Sequence, residues 1–196
     1  MDAKANNRLF VLILQHPQER KEPLSTAAAT AAALVRSKLA VGLSWPNLAR
    51  PLGRAADPHR WAVLYLGAAR PEAMRPPRDI ALLDRGGMPL ADPAAILEGI
   101  DGMVLLDGTW SQAKTLWWRN PWLLKLHRLV LNPREPARLG RLRREPRREA
   151  LSTIEAAAFV LRRLESSPAA ADALMAELDR MILAARRPAG QPRVNA

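Results

Sequence analysis

The 196-residue sequence is 48% hydrophobic, which is enough to bury one sizeable core, so we expect a single domain over residues 1–187 followed by a disordered tail over residues 188–196. It contains no cysteine and only three histidines, which excludes disulfides and thiolate metal sites and predicts that the protein holds no metal. Thirty Lys and Arg against 19 Asp and Glu give a net charge of +11, a balance that favours a polyanionic partner. No apolar run approaches the roughly 18 residues of a membrane-spanning helix and no signal peptide is apparent, so we expect a cytoplasmic monomer that does not enter membranes.

Five short apolar runs predict buried β-strands because they are continuously apolar and too short for core helices. They cover residues 8–15, 39–45, 61–66, 103–107 and 127–132. Helices are predicted between and after these strands, each opened by an N-cap residue, an early proline or a capping box. They cover residues 26–38, 93–98, 110–119, the segment after Ser152, and 168–187. The segments 46–60 and 67–91 show little periodicity and are predicted as loops.

Strands separated by helices are typical of an α/β fold with a mostly parallel sheet and helices on both faces. The first helix is expected to bury Ala27, Ala31, Leu34 and Val35. General rules of chain topology predict an unknotted path.

The stretch Val104–Lys114 contains the strongest functional signal, because an apolar run stops at Asp107 and a helix begins soon after it. Thr109 and Gln112 have the spacing of a capping box. Asp107 is therefore expected at the carboxyl end of a strand, where ligands of α/β proteins usually bind and where the free N–H groups of the next helix favour anionic groups. An Asp-Gly pair is also a common turn, so the residues alone are equally consistent with Asp107 as a turn residue.

Basic residues are concentrated near the end of the chain: seven arginines and only two acids lie between Arg134 and Arg148. A GC-rich genome would raise the arginine content everywhere, but it would not concentrate arginine in one segment. Such a concentration is expected to bind phosphate groups.

Four motifs in order resemble the DTW-domain family, which is named for an Asp-x-Thr-Trp element. They are Leu14-Gln15-His16-Pro17-Gln18-Glu19, Leu106-Asp107-Gly108-Thr109-Trp110-Ser111-Gln112-Ala113-Lys114, Leu142-Arg143-Arg144 and Leu151-Ser152-Thr153-Ile154-Glu155-Ala156. The resemblance implies a SPOUT-like, trefoil-knotted fold. It also implies transfer of the 3-amino-3-carboxypropyl group of S-adenosylmethionine to uridine N3 in structured RNA, with tRNA the expected substrate.

Two features depart from the family pattern. Many members carry a cysteine cluster ahead of the His-Pro-x-Glu element, and this chain has no cysteine. Leu64-Tyr65-Leu66-Gly67 has a leucine where the family usually has a proline after Leu-Tyr.

The resemblance also implies roles for individual residues. Asp107 is the expected general base, and its carboxylate would take the imide proton of uridine N3. The expected cofactor-binding residues are Thr26, Leu64, Leu66, Leu106, Thr109, Trp110, Ala113, Leu131, Ser152 and Glu155. From the concentration of arginine, rather than from the resemblance, the expected RNA-binding residues are Arg138, Arg141, Arg143, Arg144, Arg147 and Arg148.

Structural alternatives stay open for several of these residues. Trp110 is equally typical of a core residue, and Ser152 with Glu155 is fully explained as a capping box. Of Trp117, Trp118 and Trp122, the core is expected to take two, while an exposed one would be able to stack on an unpaired base. At the level of function, the alternatives are a SPOUT-type RNA methyltransferase and a basic RNA-binding protein without catalysis.

Overall fold

The computed structural model describes residues 3–22, 25–67, 69–75, 78–135, 137–139 and 151–186. Its strands are β1 (Phe10–Gln15), β2 (Ser37–Val41), β3 (Trp61–Leu64), β4 (Ile80–Leu83), β5 (Gly102–Asp107) and β6 (His127–Leu131). Its α-helices are α1 (Thr26–Ala33), α2 (Ala49–Leu52), α3 (Ala94–Gly99), α4 (Trp110–Arg119), α5 (Thr153–Leu164) and α6 (Ala169–Arg186). Short 3-10 helices cover Pro17–Lys21, Pro58–Arg60, Pro71–Met74 and Pro121–Lys125.

The strands form one six-stranded sheet in the order β2-β1-β5-β3-β6-β4. β1, β2, β3, β5 and β6 run parallel to their neighbours, and β4 pairs with β6 in the antiparallel direction at one edge. The predicted α/β fold with a mostly parallel sheet is therefore confirmed. The trefoil knot stays a prediction.

Side chains of the central strands alternate between two hydrophobic layers, as the two-residue period of a strand requires. In β1, Val11 and Ile13 pack into the layer that contains residues of α1, α5 and α6. Leu12 and Leu14 pack on the other side, with residues of α2 and of the 3-10 helix Pro121–Lys125. Helices thus cover both faces of the sheet. We call these the α5 face and the α4 face, since Trp117 of α4 joins the second layer.

Strand β4 lies inside the segment 67–91, which was wrongly predicted to be a loop. Its four residues are too few to show a strand period among the surrounding prolines and glycines. The strand forms because Ile80 pairs with Leu131 and Leu82 pairs with Leu129 of β6, and Leu82 is 1% exposed. Tertiary pairing, rather than local pattern, determines this element.

Helix α1 ends earlier than predicted, and Val35 is 51% exposed rather than buried. Leu34 takes an extended conformation, and the backbone then pairs with the N-terminal segment: Val35 N donates to Ala5 O at 3.0 Å, and Arg36 N donates to Asn7 Oδ1 at 2.9 Å. These hydrogen bonds hold residues 35 and 36 outside the helix, so β2 begins at Ser37 instead of residue 39.

The remaining predicted elements are present with small shifts. The predicted loop 46–60 contains the short helix α2, and β3 ends at Leu64, two residues before its predicted end. Arg141, Arg143, Arg144, Arg147, Arg148 and the predicted tail lie outside the described residues. The extent of the predicted single domain stays a prediction.

Candidate active site at the carboxyl edge of the sheet

The two central strands end on polar side chains that contact each other. Gln15 of β1 stands opposite Asp107 of β5 in the parallel register. The Gln15 amide donates to Asp107 Oδ2 at 2.9 Å, and it also donates to Ser25 Oγ at 2.9 Å, just ahead of α1. Asp107 is 8% exposed and Gln15 is 2% exposed. The carboxylate is thus nearly buried at the strand end where the sequence placed it.

The start of α5 is joined to the same carboxylate. The Thr153 hydroxyl donates to Asp107 Oδ1 through a short hydrogen bond. One residue on, Ile154 N donates to Thr26 Oγ1 at 3.3 Å, which links the first turn of α5 to the first turn of α1. Asp107 therefore has one oxygen bonded by an amide and the other by a hydroxyl, so the orientation of the carboxylate is fixed.

Sequence reasoning missed Gln15 and Thr153 as site residues, although both belong to motifs that carry the family resemblance. A signal was present for Gln15, because a polar residue closes an apolar strand as Asp107 does, and parallel strand ends meet at one edge. No signal of that kind exists for Thr153. Its role depends on how α5 meets β5 across 46 residues of chain.

On the other side of Asp107, the turn into α4 is closely packed. Thr109 N donates to Gln112 Oε1 at 2.7 Å and Gln112 N donates to Thr109 Oγ1 at 3.4 Å, so the predicted capping box is confirmed. A Cβ atom on Gly108 would lie 2.8 Å from Gln112 Cβ and 3.4 Å from His16 Cβ. Glycine suits this position because a Cβ there would clash with Gln112 in the first turn of α4, and the segment after β1 also lies close by.

The predicted cofactor-binding residues lie along this carboxyl edge, but they divide between the two faces of the sheet. Those on the α5 face, with Asp107, are Thr26, Leu64, Leu131, Ser152 and Glu155. Leu106 belongs to the layer on the α4 face, Thr109, Trp110 and Ala113 belong to the start of α4, and Leu66 packs against a separate cluster with Ala81, Leu83 and Val130. A ligand that contacts all of them would have to reach across the carboxyl end of the sheet.

Exposure differs between these groups. Thr26 and Glu155 are buried, at 3% and 6% exposed, whereas the four leucines are half-buried and Trp110 is 39% exposed. Trp110 is therefore not a core residue. A partly exposed indole and half-buried leucines at strand ends are the kinds of apolar side chain that accept a flat ligand ring.

A sequence model of the DTW domain matches residues 2–185, which is nearly the whole chain. The chain belongs to the DTW-domain family. Its Asp107, Thr109 and Trp110, the element for which the family is named, occupy the end of β5 and the first turn of α4. The resemblance found in the sequence is thereby confirmed.

Among known proteins, this DTW-domain chain is similar to tRNA-uridine aminocarboxypropyltransferase 2 of Drosophila melanogaster. The two are 33% identical over 166 residues, a region that covers 81% of this chain and 57% of the fly protein. The chain thus spans little more than half the length of that relative. No solved structure matches the chain.

At the edge of this DTW-domain site, Glu155 and Arg138 already have partners within the chain. Ser152 N, Ser152 Oγ and Arg138 N donate to the Glu155 carboxylate at 3.1, 2.5 and 2.5 Å. The capping box of α5 is confirmed, and these bonds favour the structural reading of Glu155. Arg138 Nη1 lies 3.2 Å from Asp179 Oδ1, with both side chains about half exposed, and such an exposed ion pair contributes little to stability.

Of the three neighbouring tryptophans, two pack against other parts of the chain and one is exposed, as the sequence predicts. Trp122 is 6% exposed and donates through Nε1 to Trp45 O at 3.0 Å. The Trp117 ring stacks on Tyr65, with centroids 4.3 Å apart, and burial raises the pKa of the Tyr65 phenol while nearby Arg128 opposes that rise. Trp118 is 70% exposed.

Neither metal ligation nor membrane insertion is indicated in the part of the chain that the structure describes. Within it, no three His, Asp or Glu side chains are grouped so that they could hold a metal ion. Nor does that part contain a helix with the length and apolar content needed to cross a membrane.

Proposed function

We propose that this protein transfers the 3-amino-3-carboxypropyl group of S-adenosylmethionine to N3 of a uridine in structured RNA, with tRNA as the substrate. The observation that carries the proposal is the Asp107 carboxylate, nearly buried and oriented by Gln15 and Thr153 where β1, β5 and the first turns of α1 and α5 meet. The named activity of the fly relative, together with membership of the same family, supports this reaction class.

The Asp107 carboxylate suits the task of a general base. Uridine N3 carries an imide proton and attacks carbon only as that proton leaves. When bound, S-adenosylmethionine would supply the electrophilic carbon next to its sulfonium. Asp107 would take the imide proton as N3 bonds to that carbon, and the C–S bond would break to release 5′-methylthioadenosine as a neutral thioether. Alignment of N3, the attacked carbon and the sulfur would provide most of the catalysis. A carboxylate in a fixed orientation would help to hold N3 in that line.

The residues at this edge fit S-adenosylmethionine in their chemistry. Leu64 and Leu131 end the neighbouring strands β3 and β6 as half-buried apolar side chains on the α5 face that would accept the adenine ring. Leu106, one residue before the end of β5, is half-buried on the α4 face and would extend this apolar surface across the sheet edge. The exposed indole of Trp110 would bind either the adenine or, through a cation–π contact, the sulfonium.

The polar end of the cofactor would be bound by helix N-termini. The start of α5, near Ser152, lies beside Thr26, because Ile154 N donates to Thr26 Oγ1, and the positive end of the α5 dipole would favour the methionine carboxylate there. The Thr26 hydroxyl is the predicted partner of the ribose or the methionine carboxylate, whereas the Glu155 carboxylate already accepts three hydrogen bonds within the chain.

RNA binding is proposed from charge. The net charge of +11 and the cluster of arginines that includes Arg138 and residues 141–148 would attract phosphate. Arginine suits this role because its planar fork binds two phosphate oxygens. The knotted SPOUT-like path of the chain and a cytoplasmic location belong to the same proposal.

The product of the cofactor tests the proposed reaction. Purified protein, S-adenosylmethionine and unmodified tRNA should give 5′-methylthioadenosine together with a uridine that carries the added group, both measured by mass spectrometry. S-adenosylhomocysteine would indicate methyl transfer instead. RNA binding with neither product, and with no cofactor binding by calorimetry, would indicate a non-catalytic RNA-binding protein.

A further inference from the structure

One side of α4 exposes three residues at four-residue intervals: Trp110, Lys114 and Trp118. Residues four apart lie on the same face of a helix, about 6 Å apart along its axis. Trp110 is 39% exposed, Trp118 is 70% exposed, and Lys114 is also exposed, while Leu116 on the opposite side of the helix is fully buried. The exposed stripe thus begins beside the Asp107 turn and runs away from it along α4.

The far end of the stripe is firmly positioned. The Asn120 side chain is fully buried, and its amide donates to Leu43 O at 3.0 Å and to Leu116 O at 2.7 Å. Its Oδ1 accepts from Trp45 N at 2.8 Å, so the loop after β2 is attached to the end of α4. Trp118, two residues before Asn120, therefore projects from a rigid support, as a stacking platform requires.

The sequence segment that contains α4 and the segment that contains the loop attached to it are both basic. Residues 108–134 contain five Lys or Arg and no Asp or Glu. Residues 23–56, which include the loop attached to α4, contain four Lys or Arg and likewise no acid. Neither segment provides a carboxylate that would repel a phosphate, and together they favour an anionic strand over the α4 face.

We propose that Lys114 and Trp118 bind the RNA strand adjacent to the target uridine, with an unpaired base stacked on Trp118 and a phosphate bound by Lys114. The proposal rests on RNA being the substrate. Exposed aromatic rings next to cations are how single-stranded segments are held without sequence-specific contacts. The stripe starts at the Asp107 turn, so a strand bound along it leads directly to the candidate site.

Two other occupants fit this surface less well. A membrane would require a broad apolar face, whereas Ser111 and Lys114 separate the two indoles. A second copy of the chain fits less well because two proteins that each carry a net charge of +11 would repel each other.

The test compares Trp118→Ala and Trp118→Phe in the full chain, with Leu183→Ala as the matched control. Leu183 is 62% exposed on α6, which covers the opposite face of the sheet. We expect Trp118→Ala to weaken binding of unmodified tRNA by roughly 10-fold, the usual effect of losing one stacked base. KM for RNA should rise in parallel with little change in kcat, while Trp118→Phe should keep most of the affinity and Leu183→Ala should match the parent.

Lys114→Gln tests the phosphate contact, with exposed Lys4→Gln as its control. Loss of one phosphate contact should reduce the salt dependence of tRNA binding by about 0.7 to 0.9 log units per log unit of salt, and Lys4→Gln should leave it unchanged.

Four outcomes separate the possibilities. If parental protein neither binds nor modifies tRNA, the proposed function itself fails. If it does both and Trp118→Ala behaves like Leu183→Ala, only the role of the α4 stripe is wrong. The stripe is also wrongly assigned if Trp118→Ala abolishes self-association in sedimentation, or abolishes binding to anionic lipid vesicles, while tRNA affinity is retained.

Discussion

The two ends of β5 each carry an aspartate, and the two carboxylates lie in opposite environments. Asp101, just ahead of the strand, is about half exposed and forms a two-point ion pair with Arg60, with N···O distances of 2.7 Å. Asp107, the last residue of the strand, is nearly buried and is bonded by the neutral amide of Gln15 and the neutral hydroxyl of Thr153. The ion pair with Arg60 neutralises the Asp101 carboxylate at the surface, whereas the neutral donors orient the Asp107 carboxylate. The second arrangement suits a group that takes part in proton transfer.

The largest effect is expected from Asp107→Asn, with Asp101→Asn as the matched control. The amide keeps the shape of the carboxylate but cannot accept the N3 proton, so transfer should fall roughly 100-fold or more. Binding of S-adenosylmethionine, measured by calorimetry, should stay near the parental value. Unchanged turnover in Asp107→Asn would remove Asp107 from the mechanism and leave it as a turn residue.

Trp110→Ala comes next and tests the exposed side of the same edge. Loss of apolar area and of the cation–π contact should weaken S-adenosylmethionine binding by about 1 to 3 kcal/mol. Trp118→Ala, on the same helix but two turns further from the site, is the control and should leave cofactor affinity unchanged. A lower Tm with unchanged cofactor affinity would show that Trp110 only packs against its neighbours.

Thr153→Val tests whether the neutral donors matter, because valine has the shape of threonine without the hydroxyl. Removing one hydrogen bond from the carboxylate should lower kcat roughly 10-fold, with KM for RNA nearly unchanged. Thr153→Ser should restore kcat. If the two variants behave alike, the hydroxyl has no part in positioning Asp107.

The sequence predicts most of the sheet and the centre of the site, because both depend on local signals. Apolar runs mark β1, β3, β5 and β6, and the capping boxes mark the starts of α4 and α5. Asp107 is placed correctly because a carboxylate ends an apolar run before a helix.

What the sequence could not predict depends on contacts between distant segments. Strand β4 forms only by pairing with β6, and α1 ends early because residues 5–7 pair with residues 33–36. Thr153 meets Asp107 only through the fold.

The smallest effect is expected at the other end of β5, from Asp101→Asn measured as stability against pH. The hydrogen bond from Arg60 lowers the pKa of the Asp101 carboxyl below its usual 3.8, so the pair stabilises the fold at pH values above about 3.8. That contribution is lost as the pH falls through the lowered pKa, because protonation breaks the pair. Asp101→Asn should therefore reduce Tm slightly at neutral pH, and the difference from the parent should vanish in acid and shrink in high salt. Thermal melts between pH 3 and 7 measure it. A Tm difference that persists unchanged in acid would mean that Asp101 acts through packing and not through its charge. The carboxylates of Asp101 and Asp107 would then differ only in how deeply they are buried.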